Sequence, residues 1–197
     1  STEVTIPDTL DGIKVTKIGE KAFSGNYNIT SVTLPAGVTE IGEYAFSNCE
    51  MLTTVMLPNG LKTLSDGAFY DCLHLENVTI PGAVEKLGEG VFFGCSSITS
   101  MTVPESVRFI GQLAFSGCTH LEKLTLSAKI DEIPQYAFAD CRKLNNLKIP
   151  NGVRVIGKGA FFNCTSLNDI SIPSTVSEIK DHAFVQCIAL TSITLPN

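Results

Sequence analysis

The chain has 197 residues, 44% hydrophobic and 17% charged, with a net charge of −6. This balance predicts a soluble folded domain, and no apolar run approaches the roughly 20 residues that a helical membrane span needs. Charge is uneven, with 5 basic against 13 acidic residues over 1–107 and 9 against 7 over 108–197, and the acidic part argues against general nucleic-acid binding.

In chain order, Val4, Thr5, Ile6 and Pro7 read as the tail of a strand. The segment Asp8 to Lys14 is a lengthened connection, since Pro7 precedes Phe23 by 16 positions whereas Pro35 precedes Phe46 by 11. From there one unit recurs every 23 residues. Phe23, Phe46, Phe69, Phe92, Phe115, Phe138, Phe161 and Phe184 set its phase. Five positions before each Phe stands an aliphatic residue (Ile18, Ile41, Leu64, Leu87 and onward), and a small residue stands directly before it. Three after it comes Cys49, Cys72, Cys95, Cys118, Cys141, Cys164 or Cys187, with Asn26 in the first copy.

The second half of each unit has the form L-x-x-V-x-L-P. Its period-two alternation predicts one short strand per copy with one buried face. The proline cannot donate to a ladder, so it ends the strand; Ser127 alone breaks that series. In the first half, V-x-x-I-G-x-x-A-F-x-x-C, residues Gly19, Gly42, Gly88, Gly111 and Gly157 are expected to permit a sharp bend before a short helical turn. The expected fold is therefore an α/β solenoid on the leucine-rich-repeat plan: a curved right-handed stack of eight 23-residue coils, with a parallel inner β-sheet and short helical or 3-10 turns on the outer side. Eight strands about 4.8 Å apart would make that sheet about 35 to 40 Å long. One domain over residues 1–197 is expected. Neither end carries a polar cap over its last coil, which reads as an excerpt of a longer protein.

The sequence offers no catalytic constellation. Seven cysteines in one phase read as free buried thiols, although adjacent coils would bring Cα atoms within disulfide range. Equivalent sites without a basic partner do not make a nucleophile, and thiols 23 residues apart do not have structural-zinc spacing. Gly88, Gly90 and Gly94 are wrongly spaced for a phosphate loop. His74, His120 and His182 do not cluster and read as surface residues. Glu20, Glu43, Asp66 and Glu89 form an acidic column three before the Phe, read as favourable charge at the start of each helical turn, with calcium binding as the alternative. No cofactor, metal site or enzymatic activity is expected.

With these residues laid out, the repeat L-x-x-V-x-L-P-x-x-V-x-x-I-G-x-x-A-F-x-x-C resembles the BspA-like, or Treponema pallidum type, leucine-rich-repeat family over essentially the whole chain. Asn26, Ser127, Pro134 and Lys180 depart from the pattern without disturbing its register. The resemblance implies a secreted or cell-surface, mostly bacterial, protein-binding module, with adhesion to host extracellular-matrix proteins or to other cells as its function. The alternatives are a structural spacer carrying another domain and a carbohydrate-binding module, the latter weakened by the absence of Trp.

The expected binding surface is the concave side of the inner sheet. There the residues eight and ten after each Phe alternate with the buried aliphatics and point outward. Thr33, Met56, Thr79, Thr102, Lys123, Thr125, Asn146, Lys148, Asp169 and Ser171 are the candidates, with Ser192 and Thr194 closing the series. A column of Thr suits strand propensity by itself. Lys123, Asn146, Lys148 and Asp169 interrupt that column and form a mixed polar patch suited to an acidic partner.

Overall fold

The computed structural model describes residues 2–193. Chain order gives β1 (Glu3–Thr5), β2 (Thr9–Leu10) and β3 (Ile13–Lys14), then strands alternating between two sides of a coil: β4 (Lys17–Ile18), β5 (Ser31–Thr33), β6 (Glu40–Ile41), β7 (Thr54–Met56), β8 (Thr63–Leu64), β9 (Asn77–Val78), β10 (Lys86–Leu87), β11 (Ser100–Thr102), β12 (Phe109–Ile110), β13 (Lys123–Thr125), β14 (Glu132–Ile133), β15 (Asn146–Lys148), β16 (Val155–Ile156), β17 (Asp169–Ser171) and β18 (Glu178–Ile179). The expected parallel β-solenoid is present. Outside the β2–β3 hairpin the pairing is parallel between equivalent strands of neighbouring coils, as in Val32 opposite Val55 and Ile41 opposite Leu64.

Each coil carries two strands where the sequence reading expected one. The inner side runs β1-β5-β7-β9, then β11-β13, then β15-β17; a second side runs β4-β6-β8-β10-β12, then β14-β16-β18. The lengthened first connection is the antiparallel hairpin β2–β3, turned by Asp11 and Gly12 at φ 50° and 79°. Two consecutive positive φ values are the type I′ geometry that Asp-Gly favours.

The outer segment contains no helix among the described residues, which corrects the expected helical or 3-10 turns. The residues two before and two after each Phe all take positive φ, for example Tyr44 at 52° and Asn48 at 55°. A left-handed residue every fourth position cannot continue a right-handed helix. The chain instead alternates local turns with bonds to the next coil. The amides of Ala45, Ser47 and Cys49 donate to carbonyls three residues back, while those of Tyr44, Phe46 and Asn48 donate to Asp66, Ala68 and Tyr70 one coil on. The outer segment is thus a third inter-coil ladder.

The glycines four before the Phe also act differently from the expected bend. None of them has positive φ; at Gly42, Gly88, Gly111 and Gly157 the reason for glycine is close approach, whereas Gly19 has nothing within 4 Å of its missing Cβ. A Cβ on Gly42 would lie 2.9 Å from Ile18 O, and one on Gly111 would fall on the Glu89 backbone. Inside the coil, Phe46, Phe69, Phe92, Phe115, Phe138 and Phe161 are fully buried. Their rings and those of Phe23 and Phe184 stack in one column, with centroids 5.1–5.7 Å apart.

Candidate functional site

The inner strands position the candidate residues by simple alternation. Val32, Val55, Met101, Leu147 and Ile170 point inward and are buried, so their neighbours on either side face out. Thr33 is half-buried; Met56, Thr79, Thr102, Lys123, Thr125, Asn146, Lys148, Asp169 and Ser171 are exposed. Thr79 lies just beyond β9. Ser192 is exposed, and Thr194 lies outside the described residues.

The β15–β17 register sets Asn146 opposite Asp169 and Lys148 opposite Ser171, while the β11–β13 register sets Lys123 opposite Ser100 and Thr125 opposite Thr102. The ion pairs among the described residues are Lys17–Glu40, Lys21–Glu20, Arg142–Asp140 and Lys143–Glu122. Lys123 and Lys148 take part in none. Two shallow grooves border Lys148. One, of about 280 Å³, runs along Asn146–Lys148 and Asn168–Ser171; the other, of about 340 Å³, lies between Leu124–Leu126 and Lys148–Asn151. Met56 and Thr79 line a third groove of about 540 Å³.

The exposed side chains of this surface are hydroxyls, an amide, two ammonium groups, one carboxylate and a thioether. All seven cysteines are free and buried, as expected, and each thiol donates to the carbonyl of the Phe one coil earlier, as Cys72 does to Phe46 at 3.0 Å. Burial pushes the Cys118 thiol up to about 12, the reverse of what a nucleophile requires. Asn26 occupies the Cys position in the first full coil, with its Oδ1 accepting the Asn28 amide at 3.2 Å. His74 and His120 are exposed and each sets Nδ1 against a backbone carbonyl, Glu50 O at 2.7 Å and Ser96 O at 2.8 Å. The acidic column has no helical turn to start. Instead, Asp66 accepts the Glu89 amide at 2.8 Å, and no group of three potential metal ligands occurs among the described residues.

On the outer segment Tyr70 and Phe93 stack face to face at 4.5 Å, and Tyr44 joins them at 6.2 Å. The sequence offers an outer rim near Tyr70, Phe93 and Phe162 as the alternative binding surface, and it does not single out Tyr44. The readable signal is the glycine one coil on, for the Tyr44 ring covers Gly67 as the Tyr136 ring covers Gly159. Tyr70 and Phe93 each turn one face toward the other, which closes that face to any ligand.

Among the described residues no helix is long and apolar enough to cross a membrane. A model of the BspA type leucine rich repeat region, in six copies, matches residues 16–145 and 131–197. Among curated proteins none matches. A leucine-rich repeat protein from Bacteroides ovatus is similar in structure with a TM-score of 0.86 and 30% identity over 90% of this chain; the chain spans 47% of that protein's length. The Treponema pallidum leucine rich repeat protein gives a TM-score of 0.77 at 27% identity, covering 96% of this chain and 78% of that one. A leucine-rich repeat protein from Eubacterium ventriosum shares the fold at 19% identity, with a TM-score of 0.54 over 99% of this chain and 79% of its own. Leucine-rich repeats serve in general as interaction modules and not as catalysts, and with its repeat matched from residue 16 to residue 197 this chain belongs to the BspA-type leucine-rich-repeat family.

Proposed function

We propose that residues 1–197 form a non-enzymatic protein-binding unit of a secreted or cell-surface protein, which holds an acidic partner against the inner face. The supporting observation is the pair of exposed lysines, Lys123 and Lys148, on neighbouring coils and free of ion pairs, the second of them bordered by grooves, in a chain whose net charge is −6. Unneutralised charge on a strand face costs folding little and steers association. Asn146 and Asp169 supply hydrogen-bonding groups beside the lysines, and Met56, Thr79, Thr102, Thr125 and Ser171 extend the contact surface along the stack, with Thr33 at its rim. Adhesion to host matrix proteins or to other cells is the use this reading favours.

The test is a surface-binding screen against matrix and cell-surface proteins, repeated with the Lys123→Glu/Lys148→Glu variant. The variant should melt within a degree or two of the parent and bind the partner at least about tenfold more weakly, mostly through a slower association rate, and added salt should weaken the parent in the same direction. Undiminished, salt-insensitive binding by the variant would move the site to another surface, with the aromatic edge at Tyr44, Tyr70 and Phe93 next in line.

A further inference from the structure

We propose that the junction between the Phe115 coil and the Phe138 coil is a hinge, at which the two parts of the solenoid open and close about their outer edge. Three sets of backbone bonds join neighbouring coils. On the second side, the amide seven before each Phe donates to its equivalent one coil back, as Arg108 does to Glu85 O and Arg154 to Asp131 O, and the amide four before each Phe donates similarly, as Gly111 does to Leu87 O and Gly157 to Ile133 O. On the inner side, Val103 donates to Thr125 O, Glu122 to Thr99 O and Ile149 to Ser171 O. The outer segment supplies the third set.

At the Phe115–Phe138 junction the first two sets are missing together. No backbone bond links Asp131 to Arg108, residue 134 to Ile110, Asn145 to Glu122 or Leu126 to Lys148, and β12 does not pair with β14 nor β13 with β15. The β9–β11 junction also lacks inner pairing, but there β8 and β10 remain paired on the second side. Among the described residues no other junction is open on both sides.

The cause is visible on the second side. Pro134 stands where other coils have a residue with an amide hydrogen, so Ile110 O cannot be reached. Ser127 replaces proline in the same connection, and its buried Oγ donates to Val107 O at 2.7 Å and accepts the Lys129 amide. The amide of residue 130 makes no bond back to residue 127 of the kind that Val107 makes to Pro104.

What remains is a backbone-bonded line along the outer edge, with side-chain contacts elsewhere: the Cys141 thiol on Phe115 O at 3.3 Å, Ser127 Oγ on Val107 O, the Ala128 amide on the Glu105 carboxylate at 3.0 Å, and the exposed Lys143–Glu122 pair at 4.0 Å. Leu113 donates to Gln135 O, Phe115 to Ala137 O and Gly117 to Ala139 O at 2.8–3.0 Å, and the Phe115 and Phe138 rings stay stacked at 5.5 Å. Grooves lie on both open flanks of this line. One of about 240 Å³ runs between Arg108–Ile110 and Asp131–Glu132, and the 340 Å³ groove separates Leu124–Leu126 from Lys148. A junction with backbone bonds along one edge and only side-chain contacts beside its two flanks bends most readily about that edge. Lys123 and Thr125 ride on one side of the hinge, and Asn146, Lys148 and Asp169 on the other. If the inner face binds as proposed above, hinge motion changes the spacing of its two lysines.

Two measurements test the hinge without any ligand, so it can fail while the binding assay succeeds, and the reverse. Residue-resolved hydrogen exchange should find the amides of Leu126, Asp131 and Asn145 exchanging at least about tenfold faster than Val103, Arg108 and Glu122, their equivalents one coil earlier. Pro134→Gly, which returns the missing donor, should slow Asp131. Spin labels on exposed column positions should give a broader distance distribution for Arg108→Cys/Arg154→Cys, which spans the junction, than for Lys62→Cys/Arg108→Cys, which spans an equal number of coils without it. Equal exchange in the two sets of amides, or equal widths for the two label pairs, overturns the hinge. A folded Pro134→Gly variant with unchanged Asp131 exchange overturns the assigned role of Pro134.

Discussion

Each Phe carbonyl inside the stack has two partners: the amide of the Cys three residues on and the thiol of the Cys one coil further, as Phe46 O has Cys49 N at 3.3 Å and Cys72 Sγ at 3.0 Å. Ring and thiol therefore form one unit of the core. Phe115→Ala removes a fully buried ring from between two stacked neighbours and should cost about 3 to 5 kcal/mol, read as a fall in the urea midpoint at unchanged slope. A melting curve like the parent's would show that the column contributes little. The thiols give a pH signature of definite sign. Burial raises the folded-state value of Cys118 to about 12, and those of Cys95 and Cys141 rise in the same direction for the same reason, whereas an unfolded thiol ionises near 9. The folded state holds these protons more tightly. Stability from this source is thus complete below about pH 8 and declines above about pH 9, by up to roughly 1.4 kcal/mol per pH unit for each buried thiol until the folded-state value is reached. Melts from pH 7 to 11 should show that decline, and Cys118→Ala should make it less steep by the share of one thiol. In the folded protein at pH 8 these thiols should resist alkylation, and after denaturation without reductant all seven should label.

At the scale of the element, glycine positions separate two physical roles. Gly111 has no room for a methyl group against the Glu89 backbone, while Gly82 sits in an exposed turn with nothing within 4 Å of its missing Cβ. Gly111→Ala should therefore destabilise by about 1 to 3 kcal/mol, and Gly82→Ala should be neutral or stabilising by up to about 1 kcal/mol. Thermal unfolding of the two variants checks this, and equal effects would undo the close-approach argument. The inner strands and the Phe column were legible in the sequence because alternation over L-x-x-V-x-L and a fixed aromatic phase are long enough to read. The second-side strands were not, since two residues such as Lys17–Ile18 cannot display a period. The left-handed column two after each Phe carried a readable signal in Gly25, Asn48, Asp71, Gly94, Gly117, Asp140 and Asn163, residue types that tolerate positive φ. Its partner two before each Phe carried a weaker one. Lys21, Tyr44, Leu113 and Tyr136 adopt the same conformation because bonds such as Tyr44 N to Asp66 O impose it whatever the side chain.

At the scale of the whole molecule, every coil touches only its neighbours, so stability is a sum of coil and junction contributions and a local defect spreads only as far as the junctions transmit it. The candidate surface was legible to the level of which side chains face outward. Its division between two bodies was not, because Ser127 and Pro134 appear in the sequence as isolated departures and acquire a common meaning only when both ladders open at one junction. That junction sets how far damage travels. Phe161→Ala breaks the ring column on the far side of it, between the stacked Phe138 and Phe184 rings. Native-state hydrogen exchange on this variant should show amides in the Phe138 and Phe161 coils, such as Phe138 and Asn163, losing protection by about a hundredfold or more, while Phe46, Phe69 and Phe92 keep parental rates. The corresponding Phe69→Ala variant should spare the coils beyond the junction. With Pro134→Gly in either background the loss should spread across the junction, because the restored bond couples Ile110 to the next coil. Uniform loss of protection along the chain in the single variants would mean that the stacked rings and the outer ladder alone transmit the full coupling, and that the missing strand bonds at this junction leave the solenoid a single cooperative unit.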